Sequence, residues 1–169
     1  NKALLAVHGA ALAASAEASG VVLAFEAAVA GGIPAIKALR EGLAGNRIEW
    51  LAGIINGTGN FILTEMRDKG RDFADVLAEA QALGYAEADP TGDVEGHDAA
   101  GKVVILANLL MNARATMADV DLVGITGISI QDIEDAKNLK KNSEKENLTL
   151  ILKDDNLKKK SNNKTGYCI

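Results

Sequence analysis

Glycines fall at the ends of the helix-forming segments of this chain, and that punctuation limits the fold to short helices separated by turns. Residues 3–18 are rich in Ala and Leu, with no Pro and few β-branched side chains, and the run stops at Gly20. Pro34 stands where a first helical turn loses nothing by lacking an N–H, and Ala35 to Leu43 carries that helix toward Gly45. From Asn60 the apolar positions Phe61, Ile62 and Met66 keep helical spacing as far as Gly70. Asp72 is placed to cap a helix over Phe73–Leu83, closed by Gly84. Asp98–Met111 is helical by composition, and a further helix starts at Ser129, with Asp132 three residues on.

Three apolar runs, Val21–Phe25, Arg47–Ile55 and Val120–Ile125, predict strands between these helices. The alternation predicts an α+β (mixed α/β) fold, with helices packed on one face of a mixed β-sheet. Aromatic residues make up only 4% of the 169, so the core has to be built from Ala, Val, Ile and Leu. Near Lys137 the composition changes: all nine basic residues from there on are Lys, Ala vanishes and Asn becomes common. The sequence therefore predicts one compact domain over residues 1–136 and an atypical Lys/Asn-rich tail over 137–169. Within the tail Leu148–Leu152 reads as one strand and Lys158–Thr165 as disordered.

A net charge of −5 gives no general attraction to phosphate backbones or anionic lipid, so neither nucleic acid nor membrane is expected as a partner. No run reaches the roughly 18 apolar residues of a membrane span, and no basic region followed by an apolar core marks a leader. Cys168 is the sole cysteine, which removes the argument for an oxidising compartment and points to the cytoplasm. Asn1 in place of Met reads as a start inside a longer reading frame.

The stretch Gly84-Tyr85-Ala86-Glu87-Ala88-Asp89-Pro90, continued by Asp93-Val94-Glu95-Gly96-His97-Asp98, has no periodicity and reads as an ordered loop crowded with carboxylates. Like charges at that density call for a positive group nearby. Asp98 and Lys102 are four apart at a helix start, on one face. They form either an ordinary surface ion pair or a carboxylate-positioned lysine that moves a proton to or from an alcohol or carbonyl. A calcium loop fails, because Gly96 at its sixth position puts Lys102 where the bidentate Glu belongs.

Asn56-Gly57-Thr58-Gly59-Asn60 lies where a strand gives way to a helix, a place that suits an anion or is simply a turn; it lacks the third glycine of a dinucleotide fingerprint. Glu26, followed by Val29-Ala30-Gly31-Gly32-Ile33-Pro34, is either a solvated loop residue or part of a site for a hard monovalent cation. His8 and His97 are too far apart for a metal motif, and no Ser or Cys carries a nucleophile signature.

These motifs, with Asn1-Lys2-Ala3-Leu4 and Phe25-Glu26-Ala27-Ala28 leading into the glycine pair, resemble homoserine dehydrogenase over about residues 1–136, in that family's order. The resemblance implies an oxidoreductase that interconverts L-homoserine and L-aspartate 4-semialdehyde with NADP or NAD, in threonine and methionine biosynthesis. It implies that Lys102 is the proton donor with Asp98 beside it, and that Glu87, Asp93 and Thr58 contact the substrate. Lys2 and Gly84 would lie near the nicotinamide. Glu26 with the carbonyls of Val29, Gly31 and Ile33 is similar to the family's sodium site. A homodimer or higher homo-oligomer is implied, with no activity expected of this stretch alone, because the family's nucleotide-binding half is not in it. The other reading is a non-catalytic dimerisation module. Gly101, where a bulkier residue usually precedes the lysine, departs from the pattern, as do Gly92 and His97.

Overall fold

The computed structural model describes residues 1–142 and 152–153. The helices are α1 (Lys2–Ala18), α2 (Ala27–Ala30), α3 (Ala35–Gly42), α4 (Gly57–Lys69), α5 (Phe73–Ala82), α6 (Thr91–Val94), α7 (His97–Leu110) and α8 (Ile130–Asn142), with a 3-10 turn at Met117–Asp119. Two strands, β1 (Trp50–Leu51) and β2 (Leu152–Lys153), pair antiparallel with Trp50 opposite Lys153 and Leu51 opposite Leu152. Every helix expected from the sequence is present within a few residues, and α8 runs across the compositional break at Lys137.

The expected mixed sheet is not. Among the described residues the β1–β2 pair is the whole of it. Val21–Phe25 and Val120–Ile125 form no strand, and Arg47–Ile55 contributes only Trp50 and Leu51. An apolar run marks a segment that prefers to be covered, whereas a strand also needs a neighbour to take its N–H and C=O groups. Val21 is 60% exposed, Val22 90% and Ile54 64%, so the runs are covered only in part, where Phe25, Leu51 and Ile125 reach a core. The Tyr85–His97 loop is ordered as expected but encloses the one-turn α6. Of the tail, the strand expected over Leu148–Leu152, apart from Leu152, and the disorder expected over Lys158–Thr165 lie outside the described residues.

The described residues form two units, each with its own core. In the first, residues 1–51 with 100–121, Leu5 and Ala6 of α1, Val29, Ile36 of α3, and Ile105 and Leu106 of α7 are buried together. A Cβ on Gly101 of α7 would lie 3.4 Å from the Ala6 Cβ, in van der Waals contact with α1. In the second, residues 52–99 with 122–142, Ile62 and Met66 of α4 face Val76 and Ala80 of α5, each pair at the four-residue spacing of one helix face. Ala86, Val94 and Ile125 complete that core, and Ile133 of α8 packs on it. Full burial of side chains such as Ile62 and Val76 stabilises by about 1.5–3 kcal/mol each.

The Val120–Ile125 run meets the second core through its end. The Ile125 N–H donates to the Val94 carbonyl at 2.7 Å, and the backbone at Gly124 lies against residues 94–95: a Cβ there would stand 2.9 Å from the Val94 oxygen and 3.0 Å from the Glu95 Cα. Gly124→Ala should therefore force the two backbones apart and cost about 1–3 kcal/mol, read as a lowered urea midpoint; an unchanged midpoint would show that this approach is not tight in solution.

Helix α8 begins with a reciprocal cap. The Ser129 N–H and hydroxyl donate to the Asp132 carboxylate at 2.8 and 2.6 Å, and the Asp132 N–H donates to the Ser129 hydroxyl oxygen at 3.2 Å. Those bonds from Ser129, side chain first and backbone second, hold the Asp132 carboxyl below the usual carboxylate range. A depressed folded-state value means that the cap contributes fully above the unfolded value of about 3.9 and is lost as pH falls through the lower folded value. The Asp132 carboxyl carbon should thus titrate below that reference in an NMR pH series, and Ser129→Ala should return it toward 3.9.

Candidate active site

Asn56 occupies the N-cap of α4 in extended backbone geometry, and its carboxamide is fully used. Its Oδ1 accepts from the Gly59 N–H at 2.6 Å, which closes the first turn of the helix. Its Nδ2 donates to Asp93 at 2.7 Å and to Asp98 at 3.0 Å. The bond to Gly59 fixes which end of the amide faces the acids, because a flip would set a nitrogen against that N–H and oxygens against carboxylates. Among the described residues Asn56 is the buried polar side chain, 5% exposed. Gly59 permits the arrangement: a Cβ on it would crowd Asn56 Oδ1 at 3.2 Å.

A second set of bonds shapes the segment that follows α5. Gly84 has φ +76, a left-handed conformation that L side chains rarely adopt. Its N–H donates to the Gln81 carbonyl at 3.1 Å, and the Tyr85 N–H donates to the Ala80 carbonyl at 2.8 Å, the paired bonds of a Schellman helix end. Thr58 Oγ1 donates to the Tyr85 carbonyl at 2.8 Å, tying the start of α4 to this turn, and the Tyr85 ring meets Phe61 edge-on with centroids 5.0 Å apart. Gln81 Nε2 donates to the carbonyls of Glu87 and Ala88 at 3.0 and 3.3 Å, which anchors the backbone at Glu87 while that residue is exposed.

Asp93 on α6 and Asp98 at the start of α7 are both half-buried, and Lys102, also half-buried, follows Asp98 by one turn of α7. In the bonds just given and those that follow, four of the loop's acids accept from neutral donors. Asn56 serves Asp93 and Asp98, the Thr126 hydroxyl serves Glu95 at 2.9 Å, and Thr91 serves Asp89 through its hydroxyl at 2.6 Å and its N–H at 3.1 Å. The bonds from Thr91, hydroxyl first, hold the Asp89 carboxyl below the usual range. A neutral donor orients a carboxylate without changing its charge. The sequence offers Asn56 as part of a turn or an anion site, not as a donor to acids; its legible signal is an Asn at a helix N-cap, whose amide has two donors left once the cap is made.

In the first unit the Glu26 carboxylate accepts from the Ile36 N–H at 2.7 Å and the Lys37 N–H at 2.9 Å, stabilising the first turn of α3. The Ile33 carbonyl accepts from the Ala35 N–H at 2.7 Å, and Gly31 has φ +58. Each carboxylate oxygen keeps a further lone pair, and an all-oxygen set with the Val29 and Gly31 carbonyls suits a hard cation. Lys2 is the first residue of α1, half-buried.

No helix among the described residues is long and apolar enough to cross a membrane. The homoserine dehydrogenase family profile matches residues 34–146. A homoserine dehydrogenase of Pseudomonas aeruginosa is 63% identical over 139 residues, which are 82% of this chain and 32% of that protein. The crystal structure of a homoserine dehydrogenase from Thiobacillus denitrificans superposes with a TM-score of 0.79 at 58% identity, over 82% of this chain and 32% of that one. A hyperthermophilic archaeal homoserine dehydrogenase in complex with NADPH gives 0.70 at 31% identity, over 77% and 40%. The chain spans about a third of the length of the curated relatives it matches, and it belongs to the homoserine dehydrogenase family.

Proposed function

We propose that this chain is the substrate-binding and catalytic portion, over residues 1–136, of an enzyme that interconverts L-homoserine and L-aspartate 4-semialdehyde. The observation that carries the reading is the Asn56 bridge, which gathers two carboxylates at one end of α4 one helical turn before a half-buried lysine. Both substrates carry an ammonium group next to a carboxylate and differ at the oxygen of the fourth carbon. Asp93 and Glu87 take the ammonium, and the Thr58 oxygen, whose proton goes to Tyr85, keeps lone pairs to accept from it. Lys102, held by Asp98, gives a proton to the carbonyl oxygen as the aldehyde becomes the alcohol and takes it back in the reverse direction.

A nicotinamide nucleotide, NADP or NAD, exchanges hydride with the substrate when bound; the NADPH-bound archaeal relative supports that class of cofactor. Lys2 and Gly84 lie beside its ring in this reading, and the left-handed turn at Gly84 leaves that face without a side chain. Glu26 with the Val29, Gly31 and Ile33 carbonyls holds a sodium ion that braces the turn before α3. The exposed apolar runs at Val21–Leu23, Ile54 and Leu122–Val123 become strands of a mixed sheet once further chain, or the partner in a homodimer, supplies the missing ladder. The reading places the protein in the cytoplasm and in threonine and methionine biosynthesis.

The test is a chimaera in which this sequence replaces the stretch it matches in the Pseudomonas aeruginosa relative. Homoserine-dependent reduction of NADP or NAD should be measurable, and Lys102→Ala should lower kcat about 10²- to 10⁴-fold, the usual range for a lost proton-transfer group. Turnover that survives Lys102→Ala would overturn the assignment. An inactive chimaera that still self-associates tightly in sedimentation would favour the dimerisation module.

A further inference from the structure

We infer that the Lys/Asn-rich tail is an edge cap on the first unit: its strand β2 occupies one edge of β1 and so withholds that edge from the same strand of a second copy of this chain. The inference goes beyond the proposed function and stands apart from it, because turnover enters neither its argument nor its test.

The constraint is the backbone of β1. Leu51 is half-buried against the first core, whereas Trp50 beside it is 59% exposed. The strand is thus pinned by one residue while its neighbour stays at the surface, and an extended segment held there recruits a ladder partner for its N–H and C=O groups. The partner that it has is β2, antiparallel, with Trp50 opposite Lys153 and Leu51 opposite Leu152, within the same unit.

The tail's sequence suits that task. Its apolar run, Leu148-Thr149-Leu150-Ile151-Leu152, stands between Glu144-Lys145-Glu146 and Lys153-Asp154-Asp155 in an otherwise polar stretch. Charged residues bracketing a short strand are a device that stops an edge from pairing onward. β2 therefore closes an edge of β1 and offers in its place one flanked by charge. A second copy is the competitor because the existing ladder is antiparallel: β1 laid against β1 of a twin about a twofold axis makes a ladder of the same kind. Val21, Val22 and Trp50, all exposed on this unit, are apolar surface for such a pair to cover. One edge takes one partner at a time, so β2 and a second β1 exclude each other.

Successive N–H groups along a strand point to opposite edges, so Leu152→Pro combined with Lys153→Pro removes whichever of the two faces β1. In sedimentation equilibrium of the full 169-residue chain, this double variant should lower the dimer dissociation constant about tenfold or more, the effect of one or two backbone hydrogen bonds that no longer compete. Lys153→Gln, which removes the charge and keeps the N–H, should associate as the parent does. Trp50 is the sole Trp, so its emission reports on β1. It should move to the blue over the concentrations at which the double variant dimerises, and stay constant in the parent over the same range. NMR of the parent should show cross-peaks between backbone protons of Trp50–Leu51 and Leu152–Lys153. The inference is overturned by a dissociation constant unchanged in the double variant, by association that leaves Trp50 emission unmoved, by equal association in Lys153→Gln, or by the absence of those cross-peaks.

Discussion

The Asn56 carboxamide has three hydrogen-bonding groups and all three are engaged, which makes it the constraint that the second unit is organised around. Its oxygen defines where α4 starts, and the position of α4 in turn places Thr58 against the Tyr85 carbonyl. Its nitrogen defines where α6 and α7 present their acids. Burial makes each bond costly to lose, since an orphaned donor or a carboxylate without its partner would be left away from water. A turn that on sequence grounds was a candidate anion cradle is therefore a donor site aimed at carboxylates, and it favours a cation.

Packing explains why so few aromatic residues suffice. The two cores are made of Ile, Val, Leu, Met and Ala, with four-residue spacings on α4 and α5 of the second, and a glycine, Gly124, stands where the backbone approaches Val94 and Glu95 most tightly. Small side chains bring helix axes together and let dispersion contacts accumulate without large surfaces. The same economy leaves apolar surface outside: Leu4, Val7, Val22 and Ile54 are exposed.

The helices were legible because their signals are local. Gly70 and Gly84 adopt the left-handed conformation that ends a helix, and Ser129 with Asp132 makes the cap its spacing announced. The strands were not, because pairing is a property of neighbours: Val21–Phe25 is as apolar as a buried strand but has no ladder partner here. At the site, the carboxylates and Lys102 stood out by charge and spacing, and Lys102 is half-buried. Asn56 did not stand out, since a neutral residue 37 and 42 positions from its partners gives no periodic or electrostatic signal. Gln81 was missed for the same reason, its amide reaching the carbonyls of Glu87 and Ala88.

Electrostatic bookkeeping of the Tyr85–Asp98 stretch separates its acids into two kinds. Asp89 accepts twice from Thr91, and that local turn depresses its carboxyl's affinity for protons, which marks it as a structural anion content with its own neighbours. Glu95 likewise takes a hydroxyl from Thr126 beside the tight approach at Gly124. Asp93 and Asp98 instead share one neutral amide, which sets the two carboxylates side by side. An anionic guest would add a third negative charge to a pair already held close. The Gly59 N–H holds the amide's oxygen end and so fixes which way its two donors face, which makes the pairing of these acids depend on the start of α4.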